Sequence, residues 1–188
     1  DVCSSDLHPS WAPVTVAQYP SSQNRSLKFA DRDPFDYAKA FRVFDESNDS
    51  LTVSFKVLPQ QNDHGRFEVD LGNTTRLAPI RVSFTASGEI EVGHWKYTTV
   101  ISDYTAGEWS DITIHIDVDE NTFSVDANGS SLKDLVFNSR RITEMERITF
   151  RTGKFRGISI NPVEPEKDLP LENEAVFYLD DLRIEASN

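Results

Sequence analysis

The stretch Glu108–Gly129, EWSDITIHIDVDENTFSVDANG, decides the fold class of this chain. From Ile112 to Val118 it alternates aliphatic with polar residues, the period-two pattern of a strand with one buried face. After the turn DENT, Phe123 and Val125 resume the alternation before the tight turn Asn128-Gly129. The stretch therefore predicts a β-hairpin with one apolar face.

The same alternation recurs on both sides of this hairpin, whereas helical periodicity is scarce. Further strands are predicted at Leu27–Ala30, Ala38–Phe44, Ser50–Leu58, Phe67–Leu71, Ile80–Phe84, Glu89–Val92, Lys96–Ile101, Leu132–Phe137, Arg147–Arg151 and Val176–Ile184. One helical turn is expected at Ser139–Met145, and a long loop at Gly157–Glu174. Half-buried strands in this number cover their apolar faces when two sheets pack together. The predicted fold is all-β, an antiparallel two-sheet β-sandwich.

Length and charge bound the function. The 188 residues fit one large domain. A net charge of −12 and a pI near 4.7 repel phosphate groups, so neither nucleic acid nor an anionic membrane is expected as a partner. No run approaches the roughly 18 apolar residues that a membrane helix needs.

The N-terminal residues 1–7, DVCSSDL, match the translation of a common sequencing-library adapter. We interpret them as an artefact of adapter read-through and exclude them from the prediction of the fold. Cys3, the only cysteine, is then not native, and cysteine chemistry is not expected. The remaining division is a poorly defined lead-in at 8–25 and a β-sandwich domain at 26–188, as the C-terminal part of a longer protein.

Several segments resemble known families. Glu108–Gly129 is similar to a signature of concanavalin-A-like (laminin-G-like) jelly-roll domains, and the terminal VFYLDDLRIE resembles their closing strand. The segments DRDPFDYAKAFRVF, QQNDHGRFEVDL, ERITFRTG and LPLENEAVFYLDDL resemble C-terminal modules of bacterial polysaccharide-active enzymes. The resemblance implies a jelly roll. It does not name a ligand, because this fold hosts lectins, carbohydrate modules, glycosidases and lyases.

Three acidic residues, Asp31, Asp33 and Asp181, are candidate ligands for a structural Ca²⁺ ion. Calcium takes about six to eight oxygen ligands, and the first and last strands of a sandwich often pair, which would bring these residues together. The resemblance adds support, since related jelly-roll modules often hold calcium. In the alternative, Asp31 and Asp33 shape the turn before Pro34 and Asp181 borders a strand.

A second candidate site is the aromatic segment GHWKY. Trp95 and Tyr97 are predicted on the same side of a strand, where their rings would form a platform for the C–H faces of sugars. His94 and Tyr104 would flank this platform. In the alternative these aromatics are core residues, as Trp109 at the start of the best-patterned strand is expected to be.

A third candidate site is the polar face of the central strands, on which Arg81 and His115 alternate away from the apolar side. Arg66 and Arg151 would serve the same ligand. An arginine, a histidine and a carboxylate together would bind an acidic sugar or support general acid–base chemistry. In the alternative this is a solvated sheet face with cross-strand charge pairs.

No recognised catalytic motif, such as HExxH or GxSxG, occurs, so no catalytic residue is assigned. The leading prediction is a non-catalytic carbohydrate-binding or accessory module of a larger secreted polysaccharide-active enzyme. The alternatives are a catalytic jelly-roll lyase or hydrolase on an acidic polysaccharide, and a structural module packed on an upstream catalytic domain. The expected partners are a polysaccharide or oligosaccharide and that upstream domain, in an extracellular or periplasmic location.

Overall fold

A computed structural model describes residues 10–47, 49–75, 77–138, 142–153 and 173–186. Within these ranges the chain forms thirteen strands and no helix. The strands are β1 (Val14–Ala17), β2 (Ser26–Asp31), β3 (Lys39–Ser47), β4 (Ser50–Pro59), β5 (Phe67–Gly72), β6 (Ile80–Phe84), β7 (Glu89–His94), β8 (Tyr97–Asp103), β9 (Ser110–Asp117), β10 (Thr122–Ala127), β11 (Ser130–Val136), β12 (Met145–Thr152) and β13 (Ala175–Ala186).

The strands form two antiparallel sheets. The seven-stranded sheet has the order β1-β2-β13-β4-β9-β10-β11, and the six-stranded sheet has the order β3-β12-β5-β6-β7-β8. The hairpin predicted from Glu108–Gly129 is β9–β10, with Ile114 opposite Val125. The predicted fold, an antiparallel two-sheet β-sandwich, is confirmed.

The apolar faces of the two sheets meet in one core. At its centre the ring of Phe67 lies 5.0 Å from Phe29 and 5.0 Å from Phe177, both on the facing sheet. Ile114 is fully buried on β9, and the intervening polar residues of that strand face outward. The period-two pattern therefore assigns the buried side correctly, because a pleated strand alternates its side chains.

Some local predictions differ from the structure. β1 was not predicted, yet it pairs with β2 at the edge of the seven-stranded sheet. The described part of the expected helical turn is not helical, because Met145 begins β12 and is fully buried in the core. Trp109 is only half-buried. The expected loop at 157–174 falls almost wholly outside the described residues.

A β-bulge in β13 sets the position of the terminal aspartates. The register against β4 shifts between Asp180 and Arg183, and Asp181 has a φ of 53°. A bulge adds one residue to its strand and thereby reverses the alternation beyond it. Leu179 before the bulge and Leu182 after it therefore both pack toward the core.

None of the described segments forms a helix long and apolar enough to cross a membrane.

Candidate functional site

The outer face of the six-stranded sheet carries charged side chains on neighbouring strands. β5 and β6 turn Val69 and Val82 into the core, so the residues between the apolar ones point outward. Cross-strand pairing then brings opposite charges together, as Asp70 stands opposite Arg81. The resulting cluster, the charged face, consists of Arg66, Glu68, Asp70, Arg81, Glu91 and Arg151.

Glu68 lies at the centre of the charged face and is only 1% exposed. Arg66 Nε donates a hydrogen bond to Glu68 Oε1 at 2.9 Å. The Nε atoms of Arg81 and Arg151 both lie 3.7 Å from Glu68 Oε2. Three guanidinium groups therefore surround one buried carboxylate, which offsets the cost of removing it from water.

Asp70 and Arg81 form a two-point ion pair. Arg81 Nε donates to Asp70 Oδ1 at 2.6 Å, and a terminal nitrogen of the guanidinium donates to Oδ2 at 3.1 Å. Burial alone would lower the pKa of Arg81, but the hydrogen bond to Asp70 and the charges of Asp70 and Glu68 raise it. The pair is a fixed, fully ionised part of the surface.

Arg151 joins the charged face to an exposed aromatic ring. Its backbone is on β12, its side chain is mostly buried, and a terminal nitrogen donates to Gly153 O at 3.1 Å. Burial lowers the pKa of Arg151, and the charges of Glu68 and Asp70 oppose this effect. The guanidinium carbon lies 4.9 Å from the ring centre of Tyr37, whose side chain is 41% exposed.

The structure brings together three of the predicted ligand-binding residues, Arg66, Arg81 and Arg151. It separates them from His115, which lies on β9 in the other sheet. There His115 contacts Thr52 Oγ1 at 3.2 Å and Asp126 Oδ2 at 3.5 Å. The prediction of one polar face containing both Arg81 and His115 is wrong, because the outward positions of β6 and β9 lie on opposite sides of the sandwich.

The predicted aromatic platform lies at the β7–β8 hairpin. Trp95 and Tyr97 are 44% and 66% exposed, so they are not core residues. They do not share a strand, however, because Trp95 occupies the turn with a φ of 51° and Tyr97 begins β8. His94 Nε2 contacts Thr99 Oγ1 at 2.9 Å, within the same hairpin.

Tyr104 does not belong to this platform. It is 5% exposed, and its hydroxyl donates to Thr85 O at 2.6 Å. Burial, together with the charge of Asp63, raises the pKa of Tyr104 to about 12. It is therefore a protonated core residue at neutral pH.

The candidate calcium ligands occupy separate places. Asp31 accepts hydrogen bonds from Thr152 Oγ1 at 2.5 Å and Asp33 N at 3.0 Å. Asp31 stands opposite Ala175, the first residue of β13, so Asp181 lies about 20 Å further along that strand. Within the described ranges no group of three or more His, Cys, Asp or Glu residues is arranged to hold a metal ion. Calcium binding stays a prediction.

Asp33 and Asp181 each have local partners. Asp33 Oδ1 accepts the backbone N–H groups of Phe35 at 2.7 Å and Asp36 at 3.1 Å. Asp181 Oδ2 lies 3.1 Å from Lys56 Nζ. Asp33 thus shapes the β2–β3 turn. This is the role that the alternative to calcium binding gave it.

Tyr37, Phe41 and Arg147 were not selected from the sequence. Phe41 lies outward on β3, and the guanidinium carbon of Arg147 sits 4.1 Å from its ring centre. The available signal was AFRVF, in which both alternating sets contain an aromatic or aliphatic residue. The outer face of such a strand is normally polar, so apolar residues in both alternating sets indicate that an aromatic ring lies on the outer face.

The profile of the family described as "Sialidase-like, CBM domain" matches residues 7–170. The chain belongs to this family. A solved sialidase is similar to the sialidase-like CBM chain with a TM-score of 0.81 and 27% identity, over 96% of this chain. The match spans 16% of the length of that sialidase.

More distant solved structures share only the fold with the sialidase-like CBM chain. An alginate lyase of polysaccharide lyase family 7 has a TM-score of 0.64 at 10% identity, covering 98% of this chain and 86% of its own. A transglycosylase has a TM-score of 0.60 at 14% identity, covering 98% and 82%. No curated protein sequence matches the chain significantly. Family membership supports a carbohydrate-binding module.

Proposed function

We propose that the chain is a non-catalytic carbohydrate-binding module of a larger secreted enzyme that acts on polysaccharides. We further propose that the glycan lies on the outer face of the six-stranded sheet. The observation that carries this location is the contact between the exposed ring of Tyr37 and Arg151 of the charged face. An aromatic ring and a set of fixed polar groups there form one continuous surface.

Such a surface suits a sugar for two physical reasons. The C–H face of a pyranose packs against an aromatic ring, and its hydroxyls need donors and acceptors at the edges. In the charged face the ion pairs hold Arg66 and Arg81 in place, while their side chains remain 26% and 27% exposed. Because these groups are already ordered, a glycan would bind them with little loss of side-chain entropy.

The placement of the candidate catalytic groups favours binding over catalysis. A lyase would need a base beside Arg81, and the candidate side chains for this role are His94, His115 and Tyr97. His115 lies on the opposite sheet. His94 follows Gly93, the cross-strand partner of Arg81, so its side chain projects from the other face of β7, where Nε2 contacts Thr99 Oγ1. Glu68 and Asp70, the carboxylates nearest Arg81, both accept hydrogen bonds from arginines.

A second candidate function, a structural module packed on another domain, is favoured by one observation. β8 is the edge strand of its sheet, and Tyr97 and Val100 on it are 66% and 46% exposed. With Trp95 in the preceding turn, three large apolar side chains are exposed near the edge of this sheet, a common position for protein contacts.

The test is affinity gel electrophoresis of the chain through neutral and acidic polysaccharides, with the size of each glycan measured afterwards. We expect at least one glycan to retard the protein and to keep its length. Tyr37→Ala should weaken the retardation, whereas the matched variant Tyr97→Ala should not. Shortening of the glycan would support the catalytic alternative, and loss of binding in Tyr97→Ala alone would place the site at the hairpin. Absence of retardation by every glycan would contradict the proposal.

A further inference from the structure

Beside the charged face, a pocket opens between β3, β12 and β5. Lys39, Arg147 and Arg151 line it. Arg147 and Arg151 lie two residues on either side of Thr149, so all three project from the same face of β12. Lys39 is the cross-strand partner of Arg151 on β3. Strand register alone therefore directs three cationic side chains to one place.

The loop that follows β5 forms the opposite wall. A Cβ atom on Gly72 would lie 1.8 Å from the carbonyl oxygen of Leu77, so the loop packs onto this position only because it is a glycine. Asn73 fixes the loop, since its N–H donates to Leu77 O at 3.1 Å and its Oδ1 accepts Leu77 N–H at 3.3 Å. The wall is held by backbone contacts as well as by side chains.

The lining of this pocket is rich in cationic side chains, although the protein is acidic. Among the described residues that line it, three are cationic and one, Asp70, is a carboxylate. Both oxygens of Asp70 already accept hydrogen bonds from Arg81. The whole chain carries a net charge of −12, and Arg151 also faces Glu68 at 3.7 Å, so Lys39 and Arg147 are the cationic groups on which this inference depends. A concave site of this kind concentrates anions.

Aromatic contacts orient the two arginines. The guanidinium carbon of Arg147 lies 4.1 Å from the ring centre of Phe41, and that of Arg151 lies 4.9 Å from Tyr37. Stacking uses the face of a guanidinium group, whereas its N–H donors lie in its plane, where carboxylate and sulfate oxygens bind. The same residues would thus contact a sugar ring and hold its charged substituent.

We infer that this pocket, the anion pocket, binds a carboxylate or sulfate substituent of the glycan. The inference rests on the proposed glycan-binding function and names its ligand class, an acidic polysaccharide. The pocket has a volume of about 80 Å³, which is enough for a carboxylate or sulfate substituent. The ring of the sugar that carries this substituent would lie outside the anion pocket, toward Tyr37.

The experiment uses one polymer backbone in three forms: dextran, carboxymethyl dextran and dextran sulfate, together with natural neutral and acidic polysaccharides. Affinity electrophoresis of the full chain is compared with that of Lys39→Met and Arg147→Met. Arg42→Met is the matched control, because it removes the same charge from an exposed residue of β3 outside the anion pocket. Circular dichroism checks that each variant folds.

We expect acidic glycans to retard the protein more than their neutral counterparts. Lys39→Met and Arg147→Met should each weaken this binding about tenfold, as for a lost charge-assisted hydrogen bond, and Arg42→Met should not. The relative strength of the carboxymethyl and sulfate arms identifies the substituent. Equal weakening by Arg42→Met would show general electrostatic attraction and overturn the inference.

Two further results separate this inference from the proposed function. Retardation by a neutral glycan, unchanged in Lys39→Met and Arg147→Met, would overturn the anion pocket and leave the carbohydrate-binding function standing. Absence of retardation by every polymer would overturn both.

Discussion

The two outer faces of the sandwich bear charges in very different states. On the six-stranded sheet, Glu68, Asp70 and Arg151 are at most 8% exposed. On the seven-stranded sheet, the side chains of His115 and Asp126 are 55% and 47% exposed and lie 3.5 Å apart. Both faces arise from the same alternation of apolar and polar residues. The extent to which the charged side chains are buried therefore distinguishes the ion-pair network of the six-stranded sheet from the solvated pairs of the other sheet, although the strand pattern is the same.

The difference has an energetic consequence. Charges held away from water are costly unless they are paired, so each member of a buried network depends on the others. Exposed pairs are solvated on their own, and their separation costs little. Substitutions on the two faces should therefore differ in effect, although they remove similar ion pairs.

The largest effect is expected for Glu68→Gln. The change leaves the buried Arg151 and its neighbouring arginines without their central carboxylate, and should lower the free energy of unfolding by about 3–5 kcal/mol. The matched change Asp126→Asn on the other sheet should cost less than about 1 kcal/mol. Urea unfolding followed by tryptophan fluorescence measures both. Similar losses for the two variants would remove the distinction between the faces.

Core substitutions serve as a control for this difference between the faces, because they should destabilise the two sheets equally. Ile80 on β6 and Ile114 on β9 are both fully buried. Truncation to alanine should destabilise each variant by about 2–4 kcal/mol, through lost burial and a residual cavity. The same urea experiment checks this. A loss under about 0.5 kcal/mol for Ile114→Ala would contradict its position in a packed core.

The β2–β3 connection, which passes from one sheet to the other, gives a smaller expected effect. Asp33→Ala removes two side-chain acceptors from the turn and should cost about 1 kcal/mol, with or without calcium. Thermal unfolding in calcium and in chelator measures the change. A lower melting temperature in calcium only would instead support the calcium site that the sequence suggested.

The smallest effect concerns Lys56 on the seven-stranded sheet. The hydrogen bond from Lys56 to Asp181 and the charges of Asp111 and Asp181 raise the pKa of Lys56 above 10.5. A group whose pKa is raised by folding stabilises the protein below its unfolded pKa, and this contribution disappears as the pH passes its folded pKa. The difference in unfolding midpoint between the wild type and Lys56→Met should therefore be small near pH 8 and vanish in strong alkali. If the difference between the two midpoints grew as the pH rose above 10.5, the prediction that folding raises the pKa of Lys56 would be wrong.

Much of the fold could be predicted because its signals are local. The alternation in β9 and β10 and the turn DENT between them identified both strands, their connection and their buried sides. β1 carries only four residues, too few for a clear period. Met145 was assigned to a helical turn because its place in the core depends on pairing with Ser47, almost a hundred positions earlier.

The candidate site was predictable only in part. Arg66, Arg81 and Arg151 were predicted to serve one ligand, and the structure joins them around Glu68, a contact that the sequence did not indicate. Tyr37 was missed because it precedes β3, where no alternation marks its direction. His115 was grouped with Arg81 because both alternate away from aliphatic neighbours, a property that every outward residue of a sandwich shares.

Adjacent residues specify most of the strands, their apolar sides and hence the packing of two sheets, because period-two alternation is a local pattern. The sequence also supplied the charges from which a binding surface is built. Which strands become neighbours is set by the folded arrangement of the sheets, and this places Arg81 on one side of the molecule and His115 on the other. That choice depends on contacts between distant residues, which bury Glu68 among three arginines and direct Lys39, Arg147 and Arg151 into one pocket.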